Sequence, residues 1–228
     1  MIGNRKELFT GVGLMAGFII VLVVIFLPVI SGRNAVEYLD GLYNSISKGS
    51  AYYIPKVREE IKPFSETAVE VTLSMAEEAQ AKQTAQLFQK SGASADISGT
   101  NLKVSGHLGK ILENGLEDAD AMYQNKGGKI SGKYGYSEKR VLFNWWKALK
   151  ELEKELTRQK QFEAAQTVDR VNKKAIETAY NYYGIEPQRI SDRLGIVLFS
   201  LLFYVIYTLW YGFAILYMCE GWGLKLKH

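Results

Sequence analysis

Gly127–Tyr136, GGKISGKYGY, places Gly127, four intervening residues, Gly132 and Lys133 in the spacing of a phosphate-cradling loop, G-x-x-x-x-G-K-[ST]. In that chemistry backbone amides wrap the phosphates, the Lys neutralises them, and the final hydroxyl holds magnesium. Here the final position is Tyr134, so the metal-holding hydroxyl is missing. The preceding AMYQNK reads as a helix end, not as the buried Val/Ile strand such loops follow, and no acidic strand motif supplies a further metal ligand. The stretch is expected to be a mobile glycine-rich loop between helices, with no nucleotide bound. Its side chains suggest a different use. Lys126, Lys129 and Lys133, with Tyr134 and Tyr136, are candidate contacts for a partner protein or a lipid headgroup.

Other chemistry is sparse. The two histidines, His107 and His228, form no H-E-x-x-H or E-x-x-H pair, and C-x-x-C-H is absent. Glu117, Asp118 and Asp120 cluster without the spacing or the glycine of a calcium loop. No G-x-S-x-G nucleophile elbow occurs. Glu151, Glu153 and Glu155 interleave with Lys147, Lys150 and Lys154 at helical spacing, as a solvated face would. No catalytic residue, metal site or cofactor is expected. The net charge of +4 does not call for a nucleic-acid partner. The one cysteine, Cys219, cannot form an internal disulfide.

The elements that would carry these residues divide sharply. Two runs contain no charge: GVGLMAGFIIVLVVIFLPVI, residues 11–30, and LGIVLFSLLFYVIYTLWYGFAILYMC, residues 194–219. As helices they would span roughly 30 Å and 39 Å at 1.5 Å per residue, enough for a hydrocarbon core about 30 Å thick. The first run is long for a signal peptide and ends VISGRNA without a clear A-x-A site, so it reads as an uncleaved signal-anchor. Arg5 and Lys6 before it, and Lys225 and Lys227 after the second run, place both termini in the cytoplasm and residues 33–192 outside. The organisation expected is a tail and first span over 1–32, an extracytoplasmic domain over 33–192, a second span over 193–219 and a short tail over 220–228. The membrane expected is a bacterial inner (plasma) membrane.

The middle segment reads as helices. Val36, Leu39, Tyr43 and Ile46 share a face, and Ile61, Phe64, Ala68, Val71, Met75 and Ala79 continue a heptad-like stripe broken at Pro63. GASADISGTNLKVSG, residues 92–106, reads as a glycine-rich loop with an extended piece near 102–104. Leu108, Leu112, Leu116, Ala119 and Met122 mark a further helix. After Ser137, an N-cap candidate, Leu142, Trp145, Leu149, Leu152 and Leu156 form one stripe. Val168, Asn172, Ala175, Ala179 and Tyr182 form a second, out of phase with the first, so a stutter or break is expected near 159–162. The fold class expected is all-α: two transmembrane helices bracketing an extracytoplasmic antiparallel helical bundle with glycine-rich loops.

The apolar runs themselves carry packing signals. Gly13 and Gly17 are four apart, a spacing that lets helix backbones approach in lipid. Ser200, Tyr204, Thr208 and Tyr211, with Tyr207 beside them, form a hydroxyl stripe on one face of the second run. Hydroxyls in hydrocarbon need partners, so this run is expected to pack against protein. With no intramembrane acid or base, ion translocation through these helices is not expected.

The function expected is that of a non-catalytic accessory subunit or scaffold in a larger membrane assembly, hetero-oligomeric or homo-oligomeric, contacting lipid and other membrane subunits. The alternative is an extracytoplasmic sensory or ligand-binding module, analogous in build to the input half of a bacterial chemoreceptor or sensor kinase. Because EGWGLKLKH after Cys219 is too short for an output domain, such a module would signal through a partner chain. An enzyme with an unrecognised site is the third reading.

Overall fold

The computed structural model describes residues 4–224; Lys225, Lys227 and His228 lie outside the described residues. The chain forms two compact units. One contains the chain up to Gly49 together with the chain from Pro187; the other is Ser50–Glu186.

The first unit is built on α1 (Arg5–Phe26) and α10 (Leu194–Gly221), with α2 (Ala35–Ser50) following α1. Asn4, whose side chain accepts from the Lys6 amide, caps α1. Pro28 and a turn with positive φ at Ser31 and Gly32 separate α1 from α2. Both α1 and α10 are long and apolar enough to cross a membrane, and within each only 6% of the most apolar window is buried inside the structure. The apolar side chains therefore point outward. A soluble core helix would bury them.

The second unit has α3 (Ile54–Ile61), β1 (Ala68–Ser74), α4 (Glu78–Lys90), β2 (Ser94–Ser98), β3 (Asn101–His107), α5 (Leu108–Tyr123), α6 (Gly127–Tyr134), α7 (Glu138–Arg158), α8 (Phe162–Val171) and α9 (Glu177–Tyr182). The chain is mostly helical, but it is not all-α. A three-stranded antiparallel sheet of order β1-β3-β2 replaces the expected helix over 68–74 and the expected loop over 92–106. β3 lies between two mutually parallel strands joined through α4, a split β-α-β unit.

The physical reason lies in the side-chain period. Val69, Val71 and Leu73 are buried and alternate with exposed Ala68, Glu70, Thr72 and Ser74. That period of two outweighs the coincidental helical spacing of Ala68, Val71 and Met75. Across the ladder Val71 faces Val104 and Leu73 faces Leu102, both fully buried, while Glu70 and Lys103 pair on the outer face at 2.7 Å. The β2–β3 hairpin turns through Gly99 and Thr100, with φ +60° at Gly99, the position where a two-residue II′ turn demands glycine.

Helices cover the inner face of this sheet. Leu142, Trp145, Leu149, Leu152 and Leu156 of α7, with Leu108, Leu112, Leu116, Ala119 and Met122 of α5, are buried in one core. The expected break is real: α7 ends at Arg158, Lys160 takes φ +61°, and α8 starts at Phe162. Beyond α8 the helix widens into a π turn over Asn172–Ile176 before α9. Ser137 precedes α7 as anticipated, though its side chain makes no capping bond. Pro63 sits in a 3-10 turn, Lys62–Phe64.

Candidate functional site

Gly127–Tyr134 of GGKISGKYGY fold as α6, ended by Gly135 at φ +77°, a left-handed C-cap, with Tyr136 just beyond it. They are therefore helical, not a loop. Gly127 is held by crowding: a Cβ there would meet the Tyr183 phenol and Glu138 of α7. This helix presents two side chains to a buried carboxylate.

That carboxylate is Asp118 of α5, only 2% exposed. Its Oδ1 accepts from the Lys133 ammonium at 2.8 Å. Its Oδ2 accepts from the Tyr134 hydroxyl at 2.6 Å and the Trp145 indole N–H at 2.8 Å. Asn114, one turn earlier on α5, accepts from Lys133 at 2.6 Å through Oδ1. Its Nδ2 donates to the Leu87 carbonyl and the Tyr134 hydroxyl, each at 3.1 Å. A carboxylate out of water is tolerable only when paired and hydrogen-bonded, and three donors from two other helices meet that need. Burial, followed by the adjacent Asp118 charge, pushes the Tyr134 phenol far above its ordinary value. Tyr136 donates to the Gln83 carbonyl at 3.1 Å, and burial pushes its phenol up to about 12. Chemically the cluster is closed. Both Asp118 oxygens are engaged, and Lys133 is spent on internal partners.

Within the candidate contact set, Lys133 and Tyr134 thus face inward, Tyr136 is half-buried, and Lys126 and Lys129 are exposed. Glu117 and Asp120 do not join Asp118. Asp120 accepts from Tyr52 at 2.8 Å and from Gln124 at 2.9 Å. His107 Nδ1 stands 3.9 Å from a Glu66 oxygen. Among the described residues no group of three or more His, Cys, Asp or Glu side chains comes together.

No protein-family profile, curated protein or solved structure matches this chain. Geometry and chemistry alone therefore bear on its function.

A groove in the same unit was not legible from any motif. Phe143 and Trp146 of α7 face Glu177, Tyr180 and Asn181 of α9 around a cavity of about 260 Å³. Phe143 and Trp146 pack at a ring separation of 5.8 Å, with the Lys150 ammonium 4.2 Å from the Trp146 ring centre. The π turn beside the groove lets Asn172 donate to the Trp146 carbonyl at 3.2 Å. The helix-pairing pattern predicted over 147–155 is present in part: Lys154 pairs with Glu151 and Arg158 with Glu155, whereas Lys147 and Lys150 lie over Trp146.

In the first unit, α1 and α10 run antiparallel, with Asn4 bonding Gly221, and Phe18 stacked on Tyr207 at 4.3 Å. The closest approaches are at Gly11 and Gly221. A Cβ on Gly11 would sit 2.5 Å from the Met218 nitrogen, and one on Gly221 would collide with the Leu8 nitrogen. Gly17 packs under Trp210, whose ring atom would lie 2.9 Å from a Cβ, while Gly13 has nothing within 4 Å. Of the predicted spacing, only Gly17 is at the seam.

The hydroxyl stripe divides. Tyr207 donates to the Phe18 carbonyl at 3.3 Å, and Trp210 donates to the Leu14 carbonyl at 3.0 Å. Ser200 donates to the Val197 carbonyl at 2.8 Å and meets the Tyr43 hydroxyl of α2 at 2.6 Å. Thr208 satisfies itself on the Tyr204 carbonyl at 2.7 Å. Tyr204 and Tyr211 differ from these: neither hydroxyl has a partner among the described residues, and Tyr204 is 69% exposed.

Proposed function

We propose that this chain is a non-catalytic, membrane-anchored subunit of a larger assembly, held in a bacterial inner membrane by α1 and α10 and presenting the Ser50–Glu186 unit to partner chains on the extracytoplasmic side. Both termini are cytoplasmic in this reading, following the basic residues Arg5, Lys6, Lys225 and Lys227.

The observation that carries it is the state of one hydroxyl on α10, Tyr204. Inside the Ser50–Glu186 unit the one deeply buried carboxylate, Asp118, has every oxygen engaged. On α10, among outward apolar side chains, the Tyr204 hydroxyl has no partner among the described residues. In lipid such a group is costly until protein covers it. A covering protein surface would supply that partner, which supports the subunit reading. The test is extraction of the full-length chain in mild detergent followed by mass photometry. A particle containing more than one polypeptide is expected, and a monodisperse single chain would count against the reading.

A second reading is favoured by the groove between α7 and α9. A cavity of about 260 Å³ walled by three aromatic rings with one carboxylate and one amide at its edge is suited to a small ligand. In that reading the chain is a sensory module that signals through a partner. A ligand-dependent rise in Tm in a small-molecule screen, abolished by Trp146→Ala, would favour it over the scaffold.

A further inference from the structure

The two phenols with no hydrogen-bond partner among the described residues lie on a defined face of α10. Tyr204, Thr208 and Tyr211 recur at i, i+4 and i+7, so they stack on one side of the helix, with Tyr204 and Tyr211 about 10.5 Å apart along the axis. Tyr204 lies ten residues beyond Leu194, about 15 Å into the helix, below the level at which tyrosines ordinarily find interfacial water. This face borders the α1 seam. The Tyr211 ring packs against Phe18 at 5.0 Å, and Phe18 also stacks on Tyr207, so the hydroxyl face continues an interface already formed. Every other hydroxyl and indole of the stripe that could reach protein has done so, through Tyr207, Trp210, Ser200 and Thr208.

We infer that the Tyr204–Thr208–Tyr211 face of α10 is a self-association surface, and that its occupant is the same face of a second copy of this chain. The inference rests on the membrane-subunit reading above and names its first partner. The reason for a second copy is the hydrogen-bond character of the face. It carries hydroxyls and no charge, and a phenol is both donor and acceptor. Two copies inserted with the same topology pack α10 against α10 in parallel about a two-fold axis along the membrane normal, and in an isologous contact like meets like. Tyr204 then meets Tyr204 of the other copy, and Tyr211 meets Tyr211. Each pair is satisfied by one hydroxyl donating to the other, without any chemistry the face lacks. A different partner would have to supply donors and acceptors at matching heights; a second copy supplies them by symmetry.

The test is cysteine cross-linking of the full-length chain in its own membrane, with Cys219→Ser as background. Tyr204→Cys and Tyr211→Cys are expected to give a disulfide-linked band at twice the chain mass on oxidation. Ile206→Cys, on the far side of α10 and 62% exposed, is expected to give none. Because a cysteine can perturb packing, a second measurement keeps the side chains in place. Fluorescence energy transfer between labelled copies in vesicles should show the Tyr204→Phe, Tyr211→Phe double variant dimerising about tenfold more weakly, as expected for two interhelical hydrogen bonds lost in lipid. Cross-linking at Ile206 equal to that at Tyr204, an adduct at Tyr204 with a different protein, or an unchanged energy-transfer curve for the double variant would each overturn the inference. A multi-chain particle on extraction with no self-adduct at Tyr204 sinks this inference and leaves the subunit reading standing; a monomer on extraction sinks both.

Discussion

Tyr134 and Asp118 are joined by a 2.6 Å hydrogen bond between a phenol that is 6% exposed and a carboxylate that is 2% exposed. One group is on α6 and the other on α5, so the bond ties a short helix onto the core. Lys133 and the Trp145 indole complete the shell. This arrangement gives α6 its place.

Removing the carboxylate should therefore cost more than removing any one donor. Asp118→Ala strands the Lys133 ammonium beside the core and leaves the Tyr134 hydroxyl and Trp145 N–H without their acceptor. A loss of about 3–5 kcal/mol is expected, the range for breaking a buried pair by deleting one partner. Tyr134→Phe keeps the ring packing and the Lys133 pair, so about 1.5–3 kcal/mol is expected for one bond to a charged group. Thermal unfolding of the full chain in detergent, followed by near-UV circular dichroism, should rank the two variants in that order. Equal Tm values for the two variants would show that Asp118 contributes no more than its bond to Tyr134.

Alkaline pH should unfold the same unit. Burial pushes the phenols of Tyr123 and Tyr136 up to about 12, from an ordinary value of 10. A folded-state pKa above the unfolded one means that the native state holds its proton longer. The stabilisation is complete below pH 10, where both states are protonated, and is lost as pH rises from about 10 to about 12, where only the unfolded chain ionises freely. Tyrosinate absorbance should show a late-titrating class together with loss of near-UV dichroism in that window. Tyr136→Phe should move the onset of unfolding to higher pH. An onset unmoved by that substitution would remove this phenol from the account.

The α1–α10 seam makes a sharper demand on particular glycines. Gly11→Ala drives a methyl toward backbone, 2.5 Å from the Met218 nitrogen, and that neighbour cannot swing aside. Gly13→Ala adds its methyl to open space, with nothing within 4 Å. Overpacking of this kind costs about 1–3 kcal/mol. Gly11→Ala should lower the Tm of the full chain in detergent, whereas Gly13→Ala should leave it within error. The reverse order would mean that α1 is rotated about its axis from the packing described.

The same seam shows what the sequence could and could not convey. A four-residue spacing of glycines selects Gly13 and Gly17 and passes over Gly11 and Gly221, because spacing carries no information on which face meets a neighbour. The hydroxyl stripe was legible as a face needing partners; that α1 carbonyls would serve Tyr207 and Trp210 was not, since those acceptors are backbone groups. In the Ser50–Glu186 unit, the stripes of α5 and α7 were readable because long amphipathic helices repeat their signal several times. The sheet was missed where a short strand offers few repeats. VEVTL has three inward positions, and Ala68, Val71 and Met75 imitate a helical face across them. The signal that would have found it was local: alternating Val69, Val71 and Leu73, and Ser98-Gly99-Thr100-Asn101 as a two-residue turn before Leu102 and Val104. The Asp118 cluster draws on three helices, and Asp118 looks in sequence like one of several surface acids.

Orientation follows from a narrow balance of charge. Arg5, Lys6, Lys225 and Lys227 flank the ends on one side; Arg33, Arg189 and Arg193 stand just beyond the other ends of the two apolar helices. Short basic flanks favour the cytoplasm, while a long segment crosses largely regardless of its own charge. In the proposed orientation the short flanks carry the weight, and the long middle segment does not resist export. With Cys219→Ser as background, Lys129→Cys, on the exposed side of α6, should react with a membrane-impermeant maleimide in intact cells once the outer layers are opened. Asn4→Cys, at the cap of α1, should react only after the inner membrane is permeabilised. Adding two lysines beside Arg33 should shift part of the population toward the opposite orientation, because it reverses the flank count. Labelling of Asn4→Cys in intact cells, with Lys129→Cys silent, would invert the topology and place the Ser50–Glu186 unit and its α7–α9 groove in the cytoplasm.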